Sequence, residues 1–138
     1  MTRFKLPVKR QSHVAGQMNA TEKRYAERLE LLRLAGEIVS WKYEPRKITI
    51  AYRCTYTPDF EVVVRMHTPP LGRPFPIIEY HEVKGFMEDD AAVKLKVAAN
   101  QNAEHNFYLV KWKNKAWNIK RVKTLYDMFA PKPKKESK

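Results

Sequence analysis

Hydrophobic and polar positions follow two different periods along this chain. In residues 21–35, Tyr25, Leu29 and Leu32 recur at helical spacing, Arg24, Glu27, Arg28 and Arg33 supply the polar faces, and Gly36 is a suitable stop. The period then changes to two. Ile48, Ile50, Tyr52, Cys54 and Tyr56 alternate with Lys47, Thr49, Ala51, Arg53 and Thr55, which predicts one half-buried strand over residues 47–56. A shorter strand precedes it at residues 38–43 and ends at Pro45. Pro58 opens another strand over residues 59–66, and a loop rich in proline follows, with Pro69, Pro70, Pro74 and Pro76 around Gly72. Further strands are expected at residues 77–84, 107–112 and 117–122, the last two joined by a turn at Asn114-Lys115. A second helix is predicted over residues 88–103, opened by Glu88, Asp89 and Asp90 where negative charge suits the helix dipole. Residues 125–129 form a short closing helix. This order predicts an α/β domain around one mixed central sheet flanked by helices.

Domain organisation follows from the ends. Residues 1–18 read as a basic N-terminal arm carrying Arg3, Lys5, Lys9 and Arg10, residues 19–130 as the domain, and residues 131–138 as a basic tail. Both ends are either solvated termini or electrostatic arms for a phosphate backbone. In the 138 residues, 27 Lys+Arg outweigh 15 Asp+Glu, a net charge of +12. Such an excess on a small domain is usually matched to a polyanion, and nucleic acid fits better than an anionic membrane because the basic residues are scattered rather than gathered on one amphipathic helix. No apolar run approaches the roughly 20 residues that span a bilayer. The N-terminus has no apolar stretch of the kind that marks secretion, and Cys54 is the one cysteine, so a reducing, cytoplasmic setting is expected.

Two stretches put charge into otherwise apolar strands: Thr57-Pro58-Asp59-Phe60 and His81-Glu82-Val83-Lys84-Gly85. On a strand, Glu82 and Lys84 share a face with Ile78 and Tyr80, and His81 points the other way. If the two strands pair across the proline loop, Asp59 and Glu82 meet at one end. Paired carboxylates there suit Mg²⁺, which takes one or two carboxylates and keeps water and substrate phosphate as further ligands. A lysine beside them stabilises developing charge on a phosphoryl group or orients water. The competing reading is a strand-face ion pair between Glu82 and Lys84, with Asp59 capping a turn. Glu22 extends the apolar stripe of the first helix with Tyr25, Ala26 and Leu29, from where it can reach the same site. It also completes a capping box, Asn19-Ala20-Thr21-Glu22. Lys94 and Lys96 are phosphate contacts or a solvated face, and Gln101 is a weaker helper. Trp41, Trp112 and Trp117 read as core, and His13 and His105 have no ligand spacing.

Asp59 with Glu82-Val83-Lys84 resembles the Pro-Asp and Asp/Glu-X-Lys signature of the restriction-endonuclease-like nucleases. Together with Glu22, Tyr25 and Leu34-Ala35-Gly36-Glu37-Ile38, it is similar to a family of small phage proteins in that superfamily, itself similar in size and order to Holliday junction resolvases. The resemblance spans residues 19–112 and departs from compact members in the long proline-rich gap between Asp59 and Glu82. It implies a restriction-endonuclease-like core in which Asp59 and Glu82 bind Mg²⁺ or Mn²⁺ with the Val83 carbonyl. Glu22 would complete the metal site and Lys84 would be the catalytic lysine. It further implies an endodeoxyribonuclease that cuts branched DNA as a homodimer, with Lys5, Lys9, Arg10, Lys94 and Lys96 on the DNA. The alternatives are a nuclease of the same fold acting on linear duplex DNA, and a non-catalytic DNA-binding protein.

Overall fold

A computed structural model describes residues 16–84 and 89–132. Its first element, α1 (Ala20–Leu34), starts at an Asn19 N-cap whose side chain accepts from the Glu22 N–H. Glu22 reaches back to the Asn19 N–H, which completes the capping box. Gly36, at φ 76°, takes the left-handed conformation that ends the helix. Strands β1 (Ser40–Tyr43), β2 (Ile48–Ala51), β3 (Cys54–Tyr56), β4 (Phe60–His67) and β5 (Phe75–Val83) follow. After them come α2 (Asp89–Gln101), β6 (Asn106–Lys113), β7 (Ala116–Arg121) and α3 (Leu125–Phe129).

Five strands form a mixed sheet in the order β1-β4-β5-β6-β7. The β5–β6 pair is parallel and the other pairs are antiparallel. Parallel pairing needs a crossover, and α2 supplies it. Asn114 and Lys115 both have positive φ, as the tight turn between β6 and β7 requires.

Alternation along the strands divides the core into two layers. One face carries Phe60, Val62, Val83 and Val110, covered by Tyr25, Ala26 and Leu29 of α1. Tyr80 and Phe107 of the opposite face pack with Leu95, Ala98 and Ala99 of α2 and with Ile48, Ile50 and Tyr56. The predicted mixed sheet flanked by helices is therefore present.

The segment expected as one strand over residues 47–56 is instead a hairpin, β2 and β3, forming a separate two-stranded sheet. Tyr52 and Arg53 make its turn, with Arg53 at φ 52°. The chain reverses there, yet Ile48 and Tyr56 remain cross-strand partners on one face. The two-residue turn alone would invert the alternation, since Ala51 pairs with Cys54, but a register shift between Thr49 and Ala51 restores it, so the pattern reads as continuous where the chain folds back. The arm residues Lys5, Lys9 and Arg10, the tail after Lys132, and Gly85 and Glu88 lie outside the described residues.

Phe60 is fully buried, and its ring meets Tyr25, Trp41 and Tyr43. Phe60→Ala is expected to lower the unfolding free energy by about 3–5 kcal/mol. Lys42→Ala, at an exposed position, stays within about 0.5 kcal/mol, and urea titration of both variants checks the contrast.

Candidate metal centre at the end of the sheet

The register of β4 on β5 pairs Phe60 with His81, and one step further sets Asp59 opposite Glu82. Both carboxylates are buried, at 6% and 5% exposure. Asp59 Oδ2 accepts the Val83 N–H at 2.8 Å. Glu82 Oε2 accepts the Tyr56 hydroxyl at 2.6 Å, and its Oε1 lies 3.3 Å from Lys84 Nζ. Lys84 remains one-third exposed. The strand spacing thus delivers the expected trio to one place.

Glu22 arrives from α1 at 2% exposure. Its Oε2 accepts the Asn19 N–H at 2.8 Å and the Tyr43 hydroxyl at 2.9 Å. The capping box and the inward position, posed as alternatives by the sequence, coexist in one side chain. Together Asn19, Glu22, Thr57, Asp59, Glu82 and Lys84 line an open cleft of about 470 Å³, with Glu44, Arg46 and Lys47 at its side.

Burial governs the electrostatics. It pushes the Asp59 carboxyl up to about 8, and the charge of Glu82 adds to the rise. Lys84 and the Val83 N–H oppose it without cancelling it. Glu82 is also raised, by burial, against the pull of Tyr56 and Lys84. For Lys84, burial works downward, but the charges of Glu82 and Asp59 outweigh it, and the amine is held above its usual value. Burial and the neighbouring Glu82 charge keep the Tyr56 hydroxyl protonated, so it stays a donor.

Among the described residues, no three His, Cys, Asp or Glu side chains gather as a ready-made metal group. The acids lining the cleft are instead a strand-end pair, Asp59 and Glu82, with Glu22 and Glu44 from other elements. Such a donor set fits Mg²⁺ or Mn²⁺, which are hard cations satisfied by one or two carboxylates plus water and phosphate. Two dry carboxylates next to each other also carry a charge penalty that a divalent cation relieves. Val83 reaches the pair through its N–H.

Several predicted residues stand elsewhere. His81 faces away from Glu82, as expected, and is hydrogen-bonded to Tyr25 and Glu79. Gln101 takes no part in the cleft; its side chain donates to the Ile50 carbonyl and ties α2 to the hairpin. Lys96 lines a different groove, with Lys120 and Lys123, between α2 and β7. Neither it nor Lys94 lines the acid cleft. A larger cleft of about 550 Å³ lies near α3, but its Arg121 and Asp127 already form an ion pair, and the acid pair is not part of it.

Sequence reasoning missed Tyr43, Tyr56, Arg46 and Lys47. For Tyr56 a signal existed: a buried phenol needs a hydrogen-bond partner, and Glu82 is the partner. Compared with protein-family models, with curated proteins and with solved structures, the chain matches none.

In EDTA, the raised Asp59 pKa makes the folded state bind a proton that the unfolded chain releases near its ordinary value of 3.8. The contribution is fully present below about pH 4 and is lost as pH rises through about 8. Glu82 acts in the same direction. Asp59→Asn is expected to flatten this decline and to be more stable than the wild type at pH 8, where its amide still accepts the Val83 N–H. Thermal unfolding between pH 4 and 8 checks this, and a wild-type slope persisting in the variant contradicts it.

Proposed function

We propose that the chain is a metal-dependent endodeoxyribonuclease with a restriction-endonuclease-like core, one that cuts branched DNA in the manner of a Holliday junction resolvase. One observation carries this reading: Glu22, Asp59, Glu82 and Lys84, drawn from a helix and the ends of two strands, meet in one cleft. The mixed α/β architecture, with an antiparallel β1-β4-β5 unit followed by a crossover helix and a parallel strand, is in keeping with it. The net charge of +12 suits a substrate that offers many phosphates and little sequence to read.

Asp59 and Glu82 would hold Mg²⁺ or Mn²⁺. When bound, such an ion polarises a phosphoryl oxygen and supplies hydroxide near neutral pH. Tyr56 keeps the Glu82 carboxylate in a single orientation through its 2.6 Å hydrogen bond. The Val83 N–H does the same for Asp59. Lys84, charged and one-third exposed, stands where it can neutralise the extra negative charge of the pentacovalent phosphorane or orient the attacking water. Glu22, aligned by Asn19 and Tyr43, adds a fixed carboxylate at the edge of the metal site.

Two symmetric nicks across a junction need two such sites, so the working unit on this reading is a homodimer. The setting is intracellular, where DNA is met. Among the described residues, no helix is long and apolar enough to cross a membrane.

The test uses an end-labelled four-way junction and its linear duplex, with Mg²⁺ or EDTA. Paired nicks on the junction alone, dependent on Mg²⁺, are expected. Glu82→Ala, Asp59→Ala and Lys84→Ala should each reduce cutting at least about 100-fold, as loss of transition-state charge stabilisation does, while junction binding survives. Cutting of both DNAs would retain the nuclease and remove the junction preference. Tight binding without cleavage under any metal would replace the enzyme with a DNA-binding protein.

A further inference from the structure

The β2–β3 hairpin joins the acid cleft to an exposed tip. At its base, Arg46 and Lys47 precede β2, Thr57 follows β3, and all three line the cleft. Tyr56, also at the base, bonds to Glu82. The body is anchored: Ile48, Ile50 and Tyr56 pack on Leu95, Ala98 and Ala99, and Gln101 holds the Ile50 carbonyl. Four residues of strand carry the chain about 13 Å from base to tip. There Tyr52 stands 87% exposed, with the Arg53 guanidinium 5.3 Å from its ring centre.

A large aromatic side chain left in water at a tip is not explained by the fold, because Ile48, Ile50 and Tyr56 already hold the hairpin. From Arg46 to Thr57 the sequence has three cations and no acid. Thr49, Ala51 and Thr55 leave the outer face small and exposed, so a partner can approach closely. Arg46 is aimed as well as charged, since it donates to the Tyr80 hydroxyl at 2.6 Å. An exposed aromatic on a rigid, acid-free stem is the combination that binds unpaired bases, with stacking on the ring and cations along the phosphates.

We propose that this hairpin is a DNA-binding arm, with Tyr52 stacking on an unpaired base and Arg46 and Lys47 gripping the phosphates that lead into the cleft. The inference rests on the reading of the cleft as a DNA-cleaving site, and it names the feature of the DNA that the enzyme recognises: bases freed from their partners close to the bond that is cut.

The test is binding in EDTA, so cleavage plays no part in it. The full chain is titrated with a DNA carrying 2-aminopurine in a short single-stranded gap, and with the same probe inside continuous duplex. Wild type and Tyr52→Phe are expected to quench the gap probe. Tyr52→Ala should lose the quench and bind the gapped DNA about 5- to 150-fold more weakly, equivalent to roughly 1–3 kcal/mol per stacked base. Its affinity for duplex and its melting temperature should stay unchanged. Arg46→Ala with Lys47→Ala should weaken both DNAs and lower the salt slope by about 2. Wild-type quenching by Tyr52→Ala, or equal weakening on both DNAs, would overturn the arm even if the protein cuts DNA. A protein that never cuts DNA but shows the Tyr52-dependent quench would keep the arm and lose the nuclease.

Discussion

Two carboxylates held opposite each other, nearly dry, at the end of an antiparallel pair set the terms for the rest of this molecule. Like charges directly across a ladder are unfavourable, and burial compounds the penalty. The fold answers with one donor for each: the Val83 N–H for Asp59 and the Tyr56 hydroxyl for Glu82, with Lys84 against the second. That is enough to orient the pair and too little to neutralise it, as the raised Asp59 pKa records. On the proposed reading, a divalent cation would relieve that imbalance.

Such an arrangement needs a rigid frame, and strand parity builds it. Because successive side chains alternate, His81 faces α1 while Glu82 faces the cleft side. Tyr25 meets His81 at 2.5 Å and Phe60 edge-on, so α1 is fixed to both strands that carry the acids. Glu22 lies one turn before Tyr25 and inherits that placement. Its cap hydrogen bonds and the Tyr43 hydroxyl then set the carboxylate itself. The same side chain begins a helix and borders the cleft.

What was legible in the sequence was whatever depends on a local period. The stripe of Tyr25, Leu29 and Leu32 located α1, and the acid-X-lysine spacing put Glu82 and Lys84 on one face before any partner strand was known. The hairpin was illegible because the register shift between Thr49 and Ala51 cancels the change of parity that the two-residue reversal makes; only the left-handed Arg53 and the exposed Tyr52 mark it, and neither residue type announces a turn. Tyr43, Tyr56, Arg46 and Lys47 escaped for a different reason. Tyr43 and Tyr56 reach the site through partners far away in sequence, Glu22 and Glu82, and inside a strand pattern an aromatic reads as core; Arg46 and Lys47 line the cleft only because the hairpin starts beside it.

Charge is distributed in layers. The chain carries +12, yet Glu22, Asp59 and Glu82 are all below 7% exposure. Arg46, Lys47 and Lys84 line the same cleft and are more exposed than these three carboxylates, and Glu44 lines it as well. The net charge is therefore attractive to a polyanion, while the acid pair makes part of the cleft anionic. On the proposed reading, a phosphate drawn to these basic side chains reaches the acid pair only when a metal ion lies between the two, so the charges that gather the substrate and the charges that would act on it are separated by depth.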